Sequence, residues 1–176
     1  MLKKWEKISE KTIIKNSHWS YNVDNFIIDN TFNGEYHYVH SLGSTMVIPI
    51  NSSGKFLLTN QYRYLNSKES WEFPCGSVSE NLSILDNAIK ELREESGFSA
   101  KVIEKIGEFP PYTGASDEIC TVFLAKELFS SPLPADDTED FEIDFFTKEE
   151  IEKLVDTNFI WDGLTLAAWS LVKNRL

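Results

Sequence analysis

Three glutamates near the middle of the chain have the types and the spacing that metal-assisted chemistry requires. They lie in the run Lys90-Glu91-Leu92-Arg93-Glu94-Glu95. In a helix, at about 100° per residue, the carboxylates of Glu91, Glu94 and Glu95 fall on one face. Crowded carboxylates repel one another unless a cation lies among them, and Mg²⁺ prefers oxygen ligands while leaving positions for phosphate oxygens. The pattern therefore indicates a phosphate-handling metal site, with a solvated acidic helix end as the alternative.

These glutamates need a helix to position them, and the sequence predicts one over residues 83–96. Ser83 and Asp86 have the S-x-x-D spacing of an N-terminal cap, and Gly97 suits the left-handed position just past the C-terminal end. Apolar side chains recur at i, i+3, i+4 and i+7, which predicts a buried stripe made of Leu85, Ala88, Ile89 and Leu92.

The stretch around this helix resembles the signature of the Nudix hydrolases, G-x5-E-x7-R-E-U-x-E-E-x-G-U, in which U is apolar. The matching residues are Gly76, Glu91, Leu92, Glu94, Glu95, Gly97 and Phe98. Leu82 replaces the first Glu of the signature, and Lys90 replaces its Arg. The family Arg braces the glutamates through a planar fork, whereas Lys90 offers a single charge on a flexible stem and is expected to pair with Glu94.

The resemblance implies an α/β protein, an α/β/α sandwich with a mixed sheet. It also implies hydrolysis of a diphosphate with Mg²⁺ as cofactor and Mn²⁺ as its substitute. By position, the metal ligands would be Glu91, Glu94, Glu95 and the backbone carbonyl of Cys75, with Glu94 and Glu95 acting in catalysis. The departures at Leu82 and Lys90 leave a second interpretation open, a nucleotide-sugar sensor that binds without turnover.

Two segments before the signature resemble the ADP-ribose-type pyrophosphatases of this family. They are Gln61-Tyr62-Arg63 and Trp71-Glu72-Phe73-Pro74-Cys75-Gly76. The resemblance implies that Arg63 contacts the diphosphate and that Glu72 helps to hold metal or substrate. An arginine fork matches phosphate oxygens, and a surface salt bridge is the alternative for Arg63.

The loop that follows the next predicted strand resembles the substrate-selecting loop of the same enzymes. It runs from Phe109 to Glu118 and contains Thr113 and Gly114, which are the expected substrate contacts. The family pattern has Pro directly before the Gly, where this chain has Thr113. ADP-ribose is therefore the first expectation for the substrate, while GDP-mannose or another nucleoside diphosphate sugar stays open.

An acidic segment, residues 130–140, precedes the last predicted strand. The resemblance places a general base on this segment, and Glu139 is the expected residue, with Asp137 and Asp140 in reserve. A mobile solvated loop is the alternative that the composition favours.

Residues 1–41 are expected to form a small antiparallel strand region ahead of a hydrolase domain over residues 42–176. Asp29-Asn30 and Asn33-Gly34 are turn signals, and the second predicts a hairpin. The resemblance implies that this region packs on a partner subunit in a homodimer. The alternative is a sheet that packs on its own domain.

Composition restricts the partners. The 176 residues carry a net charge of −11, which argues against nucleic acid or an anionic membrane as partner. No apolar run approaches the roughly 18 residues of a transmembrane helix, and the two cysteines fit buried thiols in a reducing compartment. We therefore expect a cytoplasmic enzyme that splits a nucleoside diphosphate sugar into a nucleoside monophosphate and a sugar phosphate. A non-sugar diphosphate remains a further alternative substrate.

Overall fold

A computed structural model describes residues 2–134 and 140–175. Clustering of backbone contacts divides the described chain into two compact units. Unit 1 contains the residues up to Gly43 together with Pro110–Ile119, and unit 2 contains Ser44–Phe109 and the residues from Cys120 onward. Each unit is therefore assembled from two separate stretches of sequence.

Unit 1 contains an antiparallel sheet in the order β1-β2-β3. The strands are Trp5–Lys15 (β1), Ser20–Ile28 (β2) and Phe32–His40 (β3). The second hairpin turns at Asp29 and Asn30, whose φ angles are 51° and 57°. The expectation of a turn at Asn33-Gly34 was wrong, since both residues lie inside β3. Gly34 lies opposite Phe26, and an added Cβ would lie 2.6 Å from the Phe26 ring, so the glycine makes room for that ring.

Unit 2 contains the remaining strands and all the helices of the described chain. In sequence order they are Ser44–Pro49 (β4), Phe56–Arg63 (β5), Lys68–Glu72 (β6), Cys75–Ser77 (β7), Ile84–Ser96 (α1), Phe98–Phe109 (β8), Cys120–Ser130 (β9), Glu142–Phe146 (β10), Lys148–Asp156 (α2) and Gly163–Val172 (α3). A 3-10 turn, Tyr64–Asn66, follows β5.

A mixed sheet in the order β7-β4-β9-β8 is the central layer of unit 2, and its β4–β9 pair is parallel. Alternating side chains of β4 enter two different cores. Met46 and Ile48 pack with residues of α2 and α3, whereas Val47 packs with Ala88 and Leu92 of α1. Helices thus cover both faces, and the predicted α/β/α sandwich with a mixed sheet is confirmed. A second, antiparallel sheet has the order β10-β5-β6.

Helix α1 begins and ends as its sequence signals predict. The Ser83 side chain accepts a hydrogen bond from the Asp86 N–H at 3.1 Å, and Gly97 adopts φ 72° at the C-cap. The predicted stripe was only partly right, because Leu85 is 42% exposed while Ala88 and Leu92 are fully buried. Buried Asn87 extends the inward face instead, donating to the Thr45 hydroxyl at 2.9 Å. The buried face of α1 thus includes a polar residue, Asn87, beside the apolar ones.

The structure also bears on the question of a membrane span. Among the described helices, none is long and apolar enough to cross a membrane.

Candidate active site

Helix α1 carries the glutamates of the signature, which we call the box, and this box helix meets strand β7 at the Cys75-Gly76 dipeptide. Glu95 is only 5% exposed and accepts a hydrogen bond from the Cys75 N–H at 3.1 Å. The Glu91 carboxylate lies against Gly76, since a Cβ at that position would overlap it. Gly76 is therefore required for a close approach, and two of the three predicted glutamates share one short segment of backbone.

Lys90 lies between the carboxylates of Glu91 and Glu94. Its ammonium donates to Glu91 Oε1 at 3.4 Å and to Glu94 Oε2, which confirms the expected Lys90–Glu94 pair. The Glu91 and Glu94 side chains are only 12% and 18% exposed. Burial by itself lowers the pKa of Lys90, but the hydrogen bond to Glu94 and the charge of Glu91 outweigh it, so the pKa is raised. The Lys90 side chain therefore stays protonated and positively charged at this site.

The donor set fits a hard divalent cation in its chemistry. The α1 glutamates supply carboxylate oxygens, the missing Cβ of Gly76 leaves space for one of them, and a cationic group already bridges two. Within residues 2–134 and 140–175, however, no three His, Cys, Asp or Glu side chains are gathered as a ready metal site. Binding of a metal between Glu91 and Glu94 would require the Lys90 ammonium to move away.

Arg63 and Glu72 form a two-point ion pair at the ends of β5 and β6. Arg63 Nε donates to Glu72 Oε1 at 2.9 Å, and Arg63 Nη2 donates to Glu72 Oε2. The Glu72 side chain is 1% exposed and that of Arg63 is 37% exposed. Burial raises the pKa of Glu72, and the Arg63 guanidinium opposes this shift without cancelling it. The hydrogen bond to Glu72 in turn raises the pKa of Arg63.

The remaining predicted site residues belong to two other segments of the chain. Thr113 and Gly114 lie in unit 1, on an exposed turn that is fastened to β3, where Tyr36 Oη donates to the Gly114 carbonyl at 3.2 Å. Glu139, with its reserve Asp137, lies outside the described residues. Asp140 is described and exposed. The structure therefore brings Glu91, Glu94, Glu95 and Cys75 together and leaves the assignment of the base a prediction.

Arg93 has a function in the fold that the motif did not reveal. Its Nε donates to the Ser131 carbonyl at 2.8 Å, and its own carbonyl accepts from the Leu133 N–H at 3.3 Å. The segment leading to the predicted base is thus attached to the last turn of α1. A basic residue at the end of a helix was the available signal, but its partner lies 38 positions away in sequence.

The two cysteines pack beside this site as thiols. Cys120 is buried and Cys75 is half-buried, as the composition indicated. A hydrogen bond to Cys120, together with burial, raises the pKa of the Cys75 thiol well above its ordinary value. A neutral thiol is a poor nucleophile and a poor metal ligand, so we assign Cys75 a function through its backbone alone.

Comparison with known proteins identifies the family. The family model described as NUDIX domain matches residues 41–166, and the chain therefore belongs to the Nudix hydrolases. Members of this family generally use divalent metal ions.

Individual relatives agree with this membership. The chain is 30% identical to the ADP-ribose pyrophosphatase of Bacillus subtilis (strain 168), over 93% of this chain and 92% of that protein. It is 28% identical to the methanol dehydrogenase activator of Bacillus methanolicus, over 83% and 80%. A crystal structure of an ADP compounds hydrolase superposes with a TM-score of 0.86, covering 100% of this chain and 96% of that one at 17% identity, which shows a shared fold.

The close approach of Glu91 to Gly76 can be tested with Gly76→Ala. The added Cβ would displace the Glu91 carboxylate, and a misplacement of about 1 Å at a reacting centre typically costs about 10²-fold in rate. We expect hydrolase activity to fall by about that factor. Gly163→Ala is the matched control, since nothing lies within 4 Å of its added Cβ, and it should keep full activity. Full activity of Gly76→Ala would contradict the packing of Glu91.

The Arg63–Glu72 pair makes a pH-dependent prediction for Arg63→Met. Without the guanidinium, buried Glu72 must be ionised alone, and we expect a loss of about 2 kcal/mol in unfolding free energy at neutral pH, below the value for a fully buried pair because Arg63 is 37% exposed. Since the folded pKa of Glu72 is raised, the folded state retains the proton longer as pH rises, so stability is lost as pH rises through that pKa. Removal of Arg63 should raise the pKa of Glu72 further, so the variant should lose more stability than wild type as pH rises.

Urea unfolding at intervals from about pH 5 to about pH 8 measures the effect. The difference between wild type and Arg63→Met should be smallest at acidic pH. The double variant Arg63→Met with Glu72→Gln carries no charge at either position and should lose this pH dependence. A pH-independent deficit in the single variant would show that Glu72 is not the group responsible.

Proposed function

We propose that this enzyme hydrolyses the diphosphate bridge of a nucleoside diphosphate sugar, with ADP-ribose as the preferred substrate, giving a nucleoside monophosphate and a sugar phosphate. The observation that carries the proposal is the arrangement around Cys75-Gly76, where the box carboxylates contact a segment that follows Glu72, the partner of Arg63, by a few residues. Similarity to an ADP-ribose pyrophosphatase over 92% of its length supports the choice of substrate.

In unit 2, the acidic residues are assigned to the metal ion and the basic residue Arg63 to the phosphates. Glu91, Glu94, Glu95 and the Cys75 carbonyl would hold Mg²⁺, with Mn²⁺ as its substitute. When bound, such an ion neutralises the diphosphate and lowers the pKa of a coordinated water. The Cys75 N–H fixes one oxygen of Glu95, so that carboxylate is oriented in advance. Glu72 orients the Arg63 fork, which is suited to pair with phosphate oxygens.

Two further roles are assigned to residues of two other segments of the chain. Glu139 is proposed to take the proton of the attacking water, with Asp137 or Asp140 in its place if it does not. Thr113 and Gly114 are proposed to contact the substrate. The turn that carries them is attached to β3 by the bonds from Tyr36 Oη to Gly114 and from the Val39 N–H to the Ala115 carbonyl. A fastened turn suits selection of one substrate over another.

A substrate panel with Glu95→Gln tests the proposal. Hydrolysis with Mg²⁺ and a coupled phosphatase is compared for ADP-ribose, GDP-mannose, UDP-glucose, a dinucleoside polyphosphate and a nucleoside triphosphate. We expect ADP-ribose to give the highest kcat/KM. Glu95→Gln should lower the rate by more than the roughly 10–100-fold that accompanies loss of a group behind a metal ligand.

Glu104→Gln is the matched control, because Glu104 is exposed on β8, and it should turn over normally. Chelation of metal should abolish activity, and added Mg²⁺ should restore it. Preference for another nucleotide sugar would change the substrate only, whereas full turnover by Glu95→Gln would overturn the mechanism. Binding without any turnover across the panel would favour the sensor interpretation.

We also propose a cytoplasmic homodimer in which residues 1–41 form the contact and residues 42–176 form the hydrolase domain. Every residue of β1 is exposed, and among them Trp5, Ile8 and Ile14 are 54%, 60% and 58% exposed, which is an unusual density of exposed apolar surface. Light scattering of the purified chain should give twice the monomer mass, and a monomer would refute the dimer. Cell fractionation tests the location.

A further inference from the structure

A pocket of about 410 Å³ lies in unit 2 next to Arg63, outside the box helix. It is formed by the end of β5 with the turn after it, and by the segment that precedes α3. Its main lining residues are Tyr62, Arg63, Tyr64, Trp161, Asp162 and Leu164. Small-molecule pockets range from about 300 to 1,000 Å³, so this one suits half of a nucleotide sugar rather than the whole molecule.

Trp161 forms an ordered wall of this pocket. Its Nε1 donates to the Glu69 carbonyl at 2.8 Å, and the Lys68 ammonium lies 5.1 Å from the ring centroid. A hydrogen bond and a cation–π contact therefore hold the indole from neighbouring positions of β6. A fixed indole face is a suitable surface for the C–H groups of a sugar ring.

Asp162 supplies the carboxylate that lines the pocket. Its Oδ2 accepts the Thr165 N–H at 2.7 Å as the N-cap of α3, which fixes the direction of the carboxylate. A carboxylate has about four acceptor positions, and the cap uses one of them. Its charge is also felt nearby, since Asp162 helps to raise the pKa of Glu72.

The chemistry favours a sugar over a nucleobase. An ionised carboxylate only accepts hydrogen bonds, and every sugar hydroxyl can donate one, as the ribose of a dinucleotide does to an acidic residue. A base offers acceptors as well as donors, and the acceptors would face the carboxylate unfavourably. Arg63 on the same wall matches a phosphate.

We propose that this pocket, the Trp161–Asp162 pocket, binds the sugar phosphate half of the substrate, with Asp162 accepting hydrogen bonds from sugar hydroxyls and Trp161 lying against the ring. The inference rests on the proposed function, because it assigns the two halves of that substrate to different places. The nucleoside half then lies outside this pocket.

Calorimetry with ribose 5-phosphate and with adenine, in the presence of Mg²⁺, tests the assignment in wild type and in Asp162→Asn. The amide keeps an oxygen for the N-cap, so α3 should stay folded, which a melting curve verifies. We expect ribose 5-phosphate to bind at least about tenfold more weakly to the variant, the loss of one hydrogen bond to a charged group, while adenine binding is unchanged. Asp156→Asn, at an exposed residue ending α2, should change neither.

A second readout uses the indole itself. Ribose 5-phosphate should change the tryptophan fluorescence of wild type, and Trp161→Phe should abolish that change. Weaker adenine binding in Asp162→Asn would place the base in the pocket and overturn the proposal, as would unchanged binding of both compounds or no binding of ribose 5-phosphate to wild type. These measurements need no turnover, so failure of the substrate panel and failure of the pocket assignment are told apart.

Discussion

The hydrogen bond from the Cys75 N–H to the Glu95 carboxylate is the contact on which the site depends. A charge that is 95% removed from water is unfavourable by several kcal/mol unless hydrogen bonds compensate it. The Cys75 N–H supplies one such hydrogen bond, so the packing of β7 against α1 helps to hold Glu95 in this position. The same closeness excludes a side chain at Gly76 and gives Glu91 its place. Two separated positions of the box are thus parts of one packing arrangement.

The mixed sheet makes this arrangement rigid. Strand β4 lies between β7 and β9, and its side chains are buried on both faces, so neither neighbour can shift without disturbing a core. On the second sheet, the cross-strand pairs Thr59 with Glu72 and Gln61 with Ser70 put polar groups on one face. Buried polar groups require partners, and Glu72 obtains its partner from Arg63. The contact that compensates this buried charge also orients the guanidinium that we propose binds phosphate.

Local signals in the sequence predicted local structure well. Helix α1 with its caps depends on near neighbours in the chain. The predictions that failed concern residues whose structure depends on contacts with residues distant in sequence. Asn33-Gly34 is a strand because Phe26 needs the space, and Asn87 is buried because Thr45, 42 positions away, accepts its hydrogen bond. The family pattern located Arg63 and Glu72 but did not indicate that they pair, and Asp162 carried only the signal of a helix cap.

Both units are discontinuous in sequence, and this has a consequence for folding. Unit 1 needs Pro110–Ile119, which is synthesised after the box helix, and the parallel pairing of β4 with β9 joins residues as far apart as Ser44 and Cys120. Closing such long loops before their contacts form is slow, and it leaves strand edges exposed meanwhile. During synthesis on the ribosome, α1 is made before β9, the strand that pairs with β4 in the sheet on which α1 packs. Neither unit can therefore be completed before residues 110–120 have been synthesised.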